Sequence, residues 1–312
     1  MKVDIVMATY NGSKFIKEQL LSIISDDCFN SIDNIIISDD HSTDNTLKII
    51  HDFFKIKKIE NYSIYLNQRS KGPASNFIHG LEFSTADFIF FCDQDDIWVS
   101  NRISLFIESA KLLNKKKPGL VYSDLEVVDC KLNIIHSSFL RHEEISADWG
   151  MSIENLFFQN SSPGCAMLIN KECKQKLLST FESEHVLMHD WWAMLYSALY
   201  KNQIFVHGRT IQYRQHESNT VGMTKKITYK NVILKVKKNI SNLSLVRKQS
   251  LYFFNTLKHD EVKLLSLRAL NLIKLETTKT SMIKRLQLVR YKRIKSTFLK
   301  SFITKLIIII KG

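Results

Sequence analysis

Phe88-Ile89-Phe90-Phe91-Cys92 runs directly into Asp93-Gln94-Asp95-Asp96-Ile97-Trp98, so an apolar stretch ends in three carboxylates within four residues. Carboxylate pairs offer oxygen ligands to hard cations such as Mg²⁺ or Mn²⁺, which usually bridge to a substrate phosphate. In an extended segment residues i and i+2 point the same way, so Asp93 and Asp95 are expected to converge while Asp96 faces elsewhere. Two other apolar runs end in similar fashion, at Thr9-Tyr10-Asn11-Gly12 and at Asp39-Asp40-His41-Ser42-Thr43-Asp44. A solvated acidic loop is the competing reading of Asp93-Gln94-Asp95-Asp96, a plain βα turn that of Thr9-Tyr10-Asn11, and helix capping that of the Asp39-Asp40 cluster.

The elements that must position these residues follow from apolar periodicity. Val3–Met7, Asn34–Ser38, Tyr62–Asn67 and Phe88–Cys92 read as strands, separated by amphipathic stretches near 13–25 and after Asp44, which is placed to cap a helix. Pro73 suits a first helical turn. This is βαβ patterning, and ligand sites of open α/β sheets lie outside the carboxyl ends of the strands. A helix near 101–115 follows, then two strand-like runs at 120–122 and 126–128. Asn160-Ser161-Ser162-Pro163-Gly164 is a turn before the apolar run 165–169. A helix starts near Asp190, and two short strands flank Gly208.

Composition bounds the rest. The 312 residues are 45% hydrophobic, enough for a large core, and three prolines with nine glycines leave little room for long linkers. Five cysteines without a CxxC pair argue against a disulfide framework or structural zinc and for a reducing compartment. No apolar run approaches the roughly 18 residues of a membrane span, and Asp4 interrupts any signal-like N-terminal core. The chain therefore reads as cytoplasmic. Charge is split: residues 223–312 hold 22 Lys and Arg against Asp260, Glu261 and Glu276, while residues 1–222 are net acidic. Two regions are expected, meeting near Gly222.

Taken in order, Ala8-Thr9-Tyr10-Asn11-Gly12, Ser38-Asp39-Asp40-His41-Ser42-Thr43-Asp44, Asp93-Gln94-Asp95, His189-Asp190-Trp191-Trp192 and Tyr213-Arg214-Gln215-His216 resemble the inverting nucleotide-sugar glycosyltransferases of family 2. The wording of the last three is similar to the rhamnosyltransferase-like branch that builds bacterial surface polysaccharides. The resemblance spans 1–222. It implies a GT-A fold, an α/β architecture with a mainly parallel sheet flanked by helices, here followed by a basic α-helical extension. It also implies nucleotide contacts by Thr9, Tyr10 and Asn11, and a pyrimidine ring N–H accepted by Asp40 with Asp39 beside it. An acceptor-only carboxylate suits uracil or thymine. Asp95 is implied as metal ligand and Asp93 as second ligand or diphosphate contact, for Mg²⁺ or Mn²⁺. His216 would complete the metal shell or touch the diphosphate, and Arg214 would pair with phosphate. Lys71 would add charge on the nucleotide side. Asp190 falls at the general base, although many relatives carry Glu-Asp where this chain has His189-Asp190. Helix capping is the plain alternative for Asp190, and core packing for Trp98, Trp191 and Trp192, whose rings could otherwise stack on sugar faces.

The expected reaction is transfer of L-rhamnose from dTDP-L-rhamnose, with inversion, to a glycan or lipid-linked glycan; a UDP-hexose donor is the alternative. In the basic tail Ile294, Phe298, Phe302, Leu306 and Ile310 recur every four residues beside Lys295, Lys300, Lys305 and Lys311. That pattern suits docking on an anionic surface, here the inner face of a bacterial cytoplasmic membrane. Packing on the catalytic domain and self-association are the alternatives. Nucleic-acid binding through the tail is the non-enzyme rival, disfavoured by the acidic front part and by the lack of a recognition motif. A receiver domain would place its acidic pair after the first strand, and a nucleotidyltransferase commonly has a Gly-rich N-terminal loop. Neither pattern is present.

Overall fold

The computed structural model describes residues 1–216, 232–277, 294–296 and 298–311; the expected boundary near 222 lies outside them. The front half alternates β1 (Val3–Thr9), α1 (Ile16–Ile24), β2 (Asn34–Asp39), α2 (Thr46–Lys57), β3 (Tyr62–Leu66), α3 (Pro73–Phe83) and β4 (Phe88–Asp93). After these come β5 (Ile97–Trp98), α4 (Arg102–Ala110), β6 (Leu120–Val128), β7 (Ile134–His136), α5 (Phe139–His142), α6 (Ile153–Leu156), β8 (Met167–Asn170), α7 (Lys171–Thr180), α8 (His189–Leu199) and β9 (Gln203–Arg214). The described part ends with α9 (Val232–Thr256), α10 (His259–Val262), α11 (Leu267–Thr277) and α12 (Phe298–Lys311).

The strands form one mixed sheet in the order β3-β2-β1-β4-β8-β6-β9-β5, with β7 on β6. β3, β2, β1 and β4 are parallel, with Thr9 opposite Asp39 and Ala8 opposite Asp93. The three polar strand ends noted in the sequence therefore abut at one edge. Side chains alternate between layers as the pleat demands. Ile5, Met7, Ile35, Ile37 and Phe90 enter the core under α1, α2 and α4, whereas Val6, Ile36, Ile89 and Phe91 enter the core shared with α3, α7 and α8.

Several local expectations are corrected. The two runs in 120–128 are one strand, as are the two flanking Gly208, where φ is +132° and the pairing with β6 slips from Ser123↔Val206 to Asp124↔Arg209. A glycine at positive φ absorbs that bulge without a Cβ clash. Asn45, not Asp44, holds the N-cap of α2; Asp44 accepts instead from the amides of Thr46 (2.9 Å) and Ser13 (3.0 Å), tying two loops together.

The C-terminal helices are not separate from this core. Leu243, Val246, Phe253, Ala269, Leu272 and Ile308 belong to the same apolar cluster as Trp192 and Tyr196 of α8. Glu261 accepts from Tyr200 Oη (2.5 Å) and pairs with Lys176 (2.5 Å), pinning α10 to α7 and α8.

Gly80 sets how closely α3 lies on the sheet. A Cβ there would meet Val6 Cγ1 at 2.7 Å and Ser38 Cβ at 3.3 Å. Gly→Ala inside an exposed helix usually gains up to about 1 kcal/mol, but overpacking a closed core costs roughly 1–3 kcal/mol. Gly80→Ala is therefore expected to lower the urea midpoint; a raised midpoint would show that α3 has room to move.

Candidate active site

The loop after β1 is held by its neighbours' side chains. Thr9, 1% exposed, donates its hydroxyl to Asp39 Oδ2 (2.7 Å), and Asp39 also takes the amide and hydroxyl of Ser42 (both 2.7 Å). Asn11, at φ +47°, donates its amide to Ser42 Oγ and accepts from the amide of Thr43, both at 2.8 Å. Gln94 joins this loop to the acidic one: Tyr10 N–H donates to its Oε1 and its Nε2 donates to Tyr10 O, both at 2.9 Å. That clasp needs Gly12, whose Cβ would fall 2.1 Å from Gln94 Oε1.

Asp40 is buried, and its two oxygens accept from Asn67 Nδ2 and from the Gly72 amide, each at 2.8 Å. A carboxylate has about four acceptor positions, so two stay open. Lys71, beside Gly72, is exposed at this rim. Asp39, by contrast, is fully buried and engaged with Thr9 and Ser42. The structure corrects the nucleotide contacts expected of Asp39 and of the Thr9 side chain: both brace the loop. Tyr10, half exposed, and Asn11 present the loop's outer surface.

The carboxylates after β4 do not pair as expected. Past Asp93 the chain bends, so strand alternation ceases, and Asp93, Asp96 and the Cys165 thiol converge with ligand atoms within 4.8 Å. Asp95 turns to His216, with Nε2 2.8 Å from Oδ2. Because a carboxylate only accepts, that Nε2 carries the hydrogen and holds no free lone pair. In this arrangement His216 orients Asp95 rather than ligating through Nε2.

Burial, then the charges of Asp95 and Asp190, raise the carboxyl of Asp93. Burial and the same crowding push Asp96 well above the carboxylate range, and Cys165 is likewise held as a thiol. A protonated Cys165 offers no thiolate to a soft metal. Asp95, though turned to His216, still repels Asp93, and a divalent cation would relieve that repulsion, so by their chemistry these hard oxygen donors fit Mg²⁺ or Mn²⁺.

Asp190 sits in the first turn of α8, 5% exposed. Burial raises its carboxyl to about 6, while the amides of Trp191 and Gly164 and the Asn160 side chain (3.2 Å to Oδ1) draw it down. The outcome is a base poised near neutrality. Gly164 can approach because it lacks a Cβ, which would lie 2.7 Å from His189 Nε2. His189 stacks on Phe77 (4.0 Å) and burial lowers its ring to about 3, so it is a neutral packing group.

Four expected contacts are corrected. Arg214 is 1% exposed and donates to Asp95 O (2.8 Å), Cys130 O (2.9 Å) and Glu18 Oε2 (2.7 Å), while its amide reaches Asp96 (3.0 Å). It braces the acidic loop and is not open to phosphate. Trp98 is 3% exposed against Phe90, under the buried Arg102 guanidinium (4.7 Å). Trp192 packs on Tyr196, Tyr252 and Phe253, and Trp191, also buried, donates its indole N–H to Leu156 O (2.7 Å). None of these rings is available to a sugar face. Gln94, Asn67 and Asn160 were not singled out from the sequence; each is an amide in or beside a loop already marked, which was the signal.

The description Glycosyl transferase family 2 matches residues 4–149. A dTDP-rhamnosyl transferase of Shigella flexneri is 31% identical over 227 residues, covering 69% of this chain and 73% of that protein. A UDP-Glc:α-D-GlcNAc-diphosphoundecaprenol β-1,3-glucosyltransferase of Escherichia coli is 26% identical over 204 residues, covering 65% and 71%. Among solved structures, S. aureus TarS residues 1–349 with UDP-GlcNAc superposes with a TM-score of 0.54 at 14% identity, covering 98% of this chain and 90% of that one.

The Gln94 clasp generates a coupling. Gly12→Ala should cost roughly 1–3 kcal/mol in urea unfolding, by overpacking against the Gln94 amide. In a Gln94→Ala background that cost should largely vanish. Equal costs in both backgrounds would refute the contact.

Proposed function

The chain belongs to glycosyl transferase family 2 and has the GT-A fold; from that premise we propose that it transfers L-rhamnose from dTDP-L-rhamnose, with inversion, onto a lipid-linked saccharide of a bacterial surface polysaccharide. The observation that carries the inverting reading is Asp190: a buried carboxyl at about 6, held by three donors and electrostatically coupled to Asp93 across the site.

Asp40 accepts the ring N–H of thymine through the lone pairs left by Asn67 and Gly72, and the outer face of Tyr10 and Asn11 lies along the nucleoside. Asp93 and Asp95, the latter oriented by His216, would hold the divalent cation. When bound, that ion neutralises charge on the departing diphosphate. Asp190 takes the proton of the acceptor hydroxyl as that oxygen bonds the anomeric carbon. The bond from carbon to the nucleotide oxygen breaks, and its electron pair leaves with the diphosphate. A single displacement inverts the centre with no covalent enzyme intermediate. The lipid carrier of the acceptor brings the enzyme to the inner face of the cytoplasmic membrane.

The similarity to the E. coli glucosyltransferase supports a second reading, a UDP-hexose donor. Pyrimidine recognition by Asp40 is common to uracil and thymine, so donor assays separate the two readings. With Mg²⁺ or Mn²⁺ and a panel of dTDP- and UDP-sugars, turnover of dTDP-L-rhamnose is expected. Turnover of a UDP-hexose alone would discard rhamnose and keep the class.

Asp190→Asn should lower kcat by about 10²–10⁴-fold while donor affinity changes little. Because the working form is the carboxylate, wild-type kcat should fall tenfold per unit as pH drops below about 6. The variant's residual rate should lack that limb. A wild-type profile flat to pH 5 would remove Asp190 from the role of base.

A further inference from the structure

The last described helix is inside out. On α12 the side chains of Ser301, Thr304 and Ile308 are buried, whereas Phe302 is 59% exposed and Ile303 and Leu306 are each 40% exposed. The buried hydroxyls are satisfied locally: Ser301 Oγ accepts from the Ile294 amide (2.8 Å) and Thr304 Oγ1 donates to Lys300 O (2.7 Å). Of the stripe expected from the sequence, Ile294 is 1% exposed in the core while Phe302 and Leu306 face out; the side chains of Phe298 and Ile310 lie outside the described residues. On the neighbouring α11, Leu267 is 77% exposed, and Leu264 just before it is 45% exposed. Arg268 lies close enough to Lys305 that its charge adds to burial in lowering that ammonium.

We propose that this outward face, Phe302, Ile303 and Leu306 of α12 with Leu264 and Leu267 beside α11, inserts into the interface of a bilayer containing anionic lipids, with Arg268, Lys300 and Lys305 against the headgroups. The inference rests on the reading that the acceptor is lipid-linked and names the surface that meets the lipid. Charge selects the occupant. Two copies of this face would bring the Arg268, Lys300 and Lys305 cations of one against those of the other, and Arg268 and Lys305 already lie close enough for their charges to interact. Anionic headgroups complement that charge, and a basic face with apolar residues at its centre lies in the interface. No helix among the described residues is long and apolar enough to cross a membrane.

The face is tied to the catalytic centre. Residues 294–296 are fastened to the stretch that follows α6 and to the end of α5: Lys295 Nζ donates to Phe158 O, the Ser296 amide to Gln159 Oε1 (3.0 Å), and Ser296 Oγ to Glu143 O (3.0 Å). Gln159 adjoins Asn160, which holds Asp190. Docking through α12 would therefore fix the height of the base above the membrane, where a lipid-linked hydroxyl arrives.

The test is co-sedimentation of the full chain with vesicles of phosphatidylcholine alone or mixed with phosphatidylglycerol. Transfer to a water-soluble acceptor and light-scattering mass are measured on the same samples. Wild type should sediment with the anionic vesicles and only weakly with neutral ones. Phe302→Ser/Leu306→Ser should weaken that binding at least about tenfold, and Arg268→Gln about fivefold, with soluble-acceptor transfer unchanged in both. Wild type remaining in the supernatant with anionic vesicles would overturn the proposal. So would a dimer that the double variant dissolves without vesicle binding. Vesicle binding with no transfer of any sugar would instead sink the transferase reading and leave docking intact.

Discussion

Asp39, Asp40, Asp93, Asp95, Asp96 and Asp190 crowd one edge of the sheet, and partitioning their charge is the constraint around which the site is built. Like charges at this density in a buried edge cannot all be ionised without compensation. Each carboxyl has its own solution. Asp39 is engaged by two hydroxyls and an amide, Asp40 takes one bond on each oxygen from Asn67 and Gly72 and keeps two acceptor positions open, and Asp95 takes one bond from His216. Asp96 is held as a neutral acid, while Asp190 is balanced near neutrality between burial and three donors. Asp93, raised by burial and then by the charges of Asp95 and Asp190, is left as the group with most to gain from a cation.

The scaffold follows from that partition. Gln94 and Arg214 bind backbone rather than ligand, locking the acidic loop to the β1 loop and to the far end of β9. Glycine appears where these approaches are closest: at Gly12 beneath the Gln94 amide, and at Gly164 against His189 and Asp190. At this polar edge side-chain amides and a guanidinium make hydrogen bonds that water would otherwise make to the loops.

Much of this was legible in the sequence. Apolar runs ending in polar or acidic residues mark β1, β2 and β4, and parallel pairing brings their ends together. The failures share a cause. Strand alternation predicts that Asp93 and Asp95 converge, but the strand stops at Asp93, and periodicity carries no information past the last ladder bond. Side-chain chemistry suits Arg214 to phosphate and the tryptophans to sugar faces, whereas burial decides their use: a guanidinium with backbone carbonyls within reach becomes a brace. Gln94 and Asn160 were invisible as individuals, since an amide in a loop has many fates until its partner is placed. In the C-terminal helix a repeat of four was read as one apolar face. Hydroxyls able to satisfy themselves within the segment allowed Ser301 and Thr304 to turn inward instead.

The account stands on a single displacement driven by Asp190, and the anomeric configuration of the product reports on it most directly. Nuclear magnetic resonance of the purified product, compared with the donor sugar, should show the opposite anomeric configuration. Retention would require a second carboxylate acting as nucleophile or a different course of attack, and would contradict the assignment of Asp190 as the base of an inverting transfer.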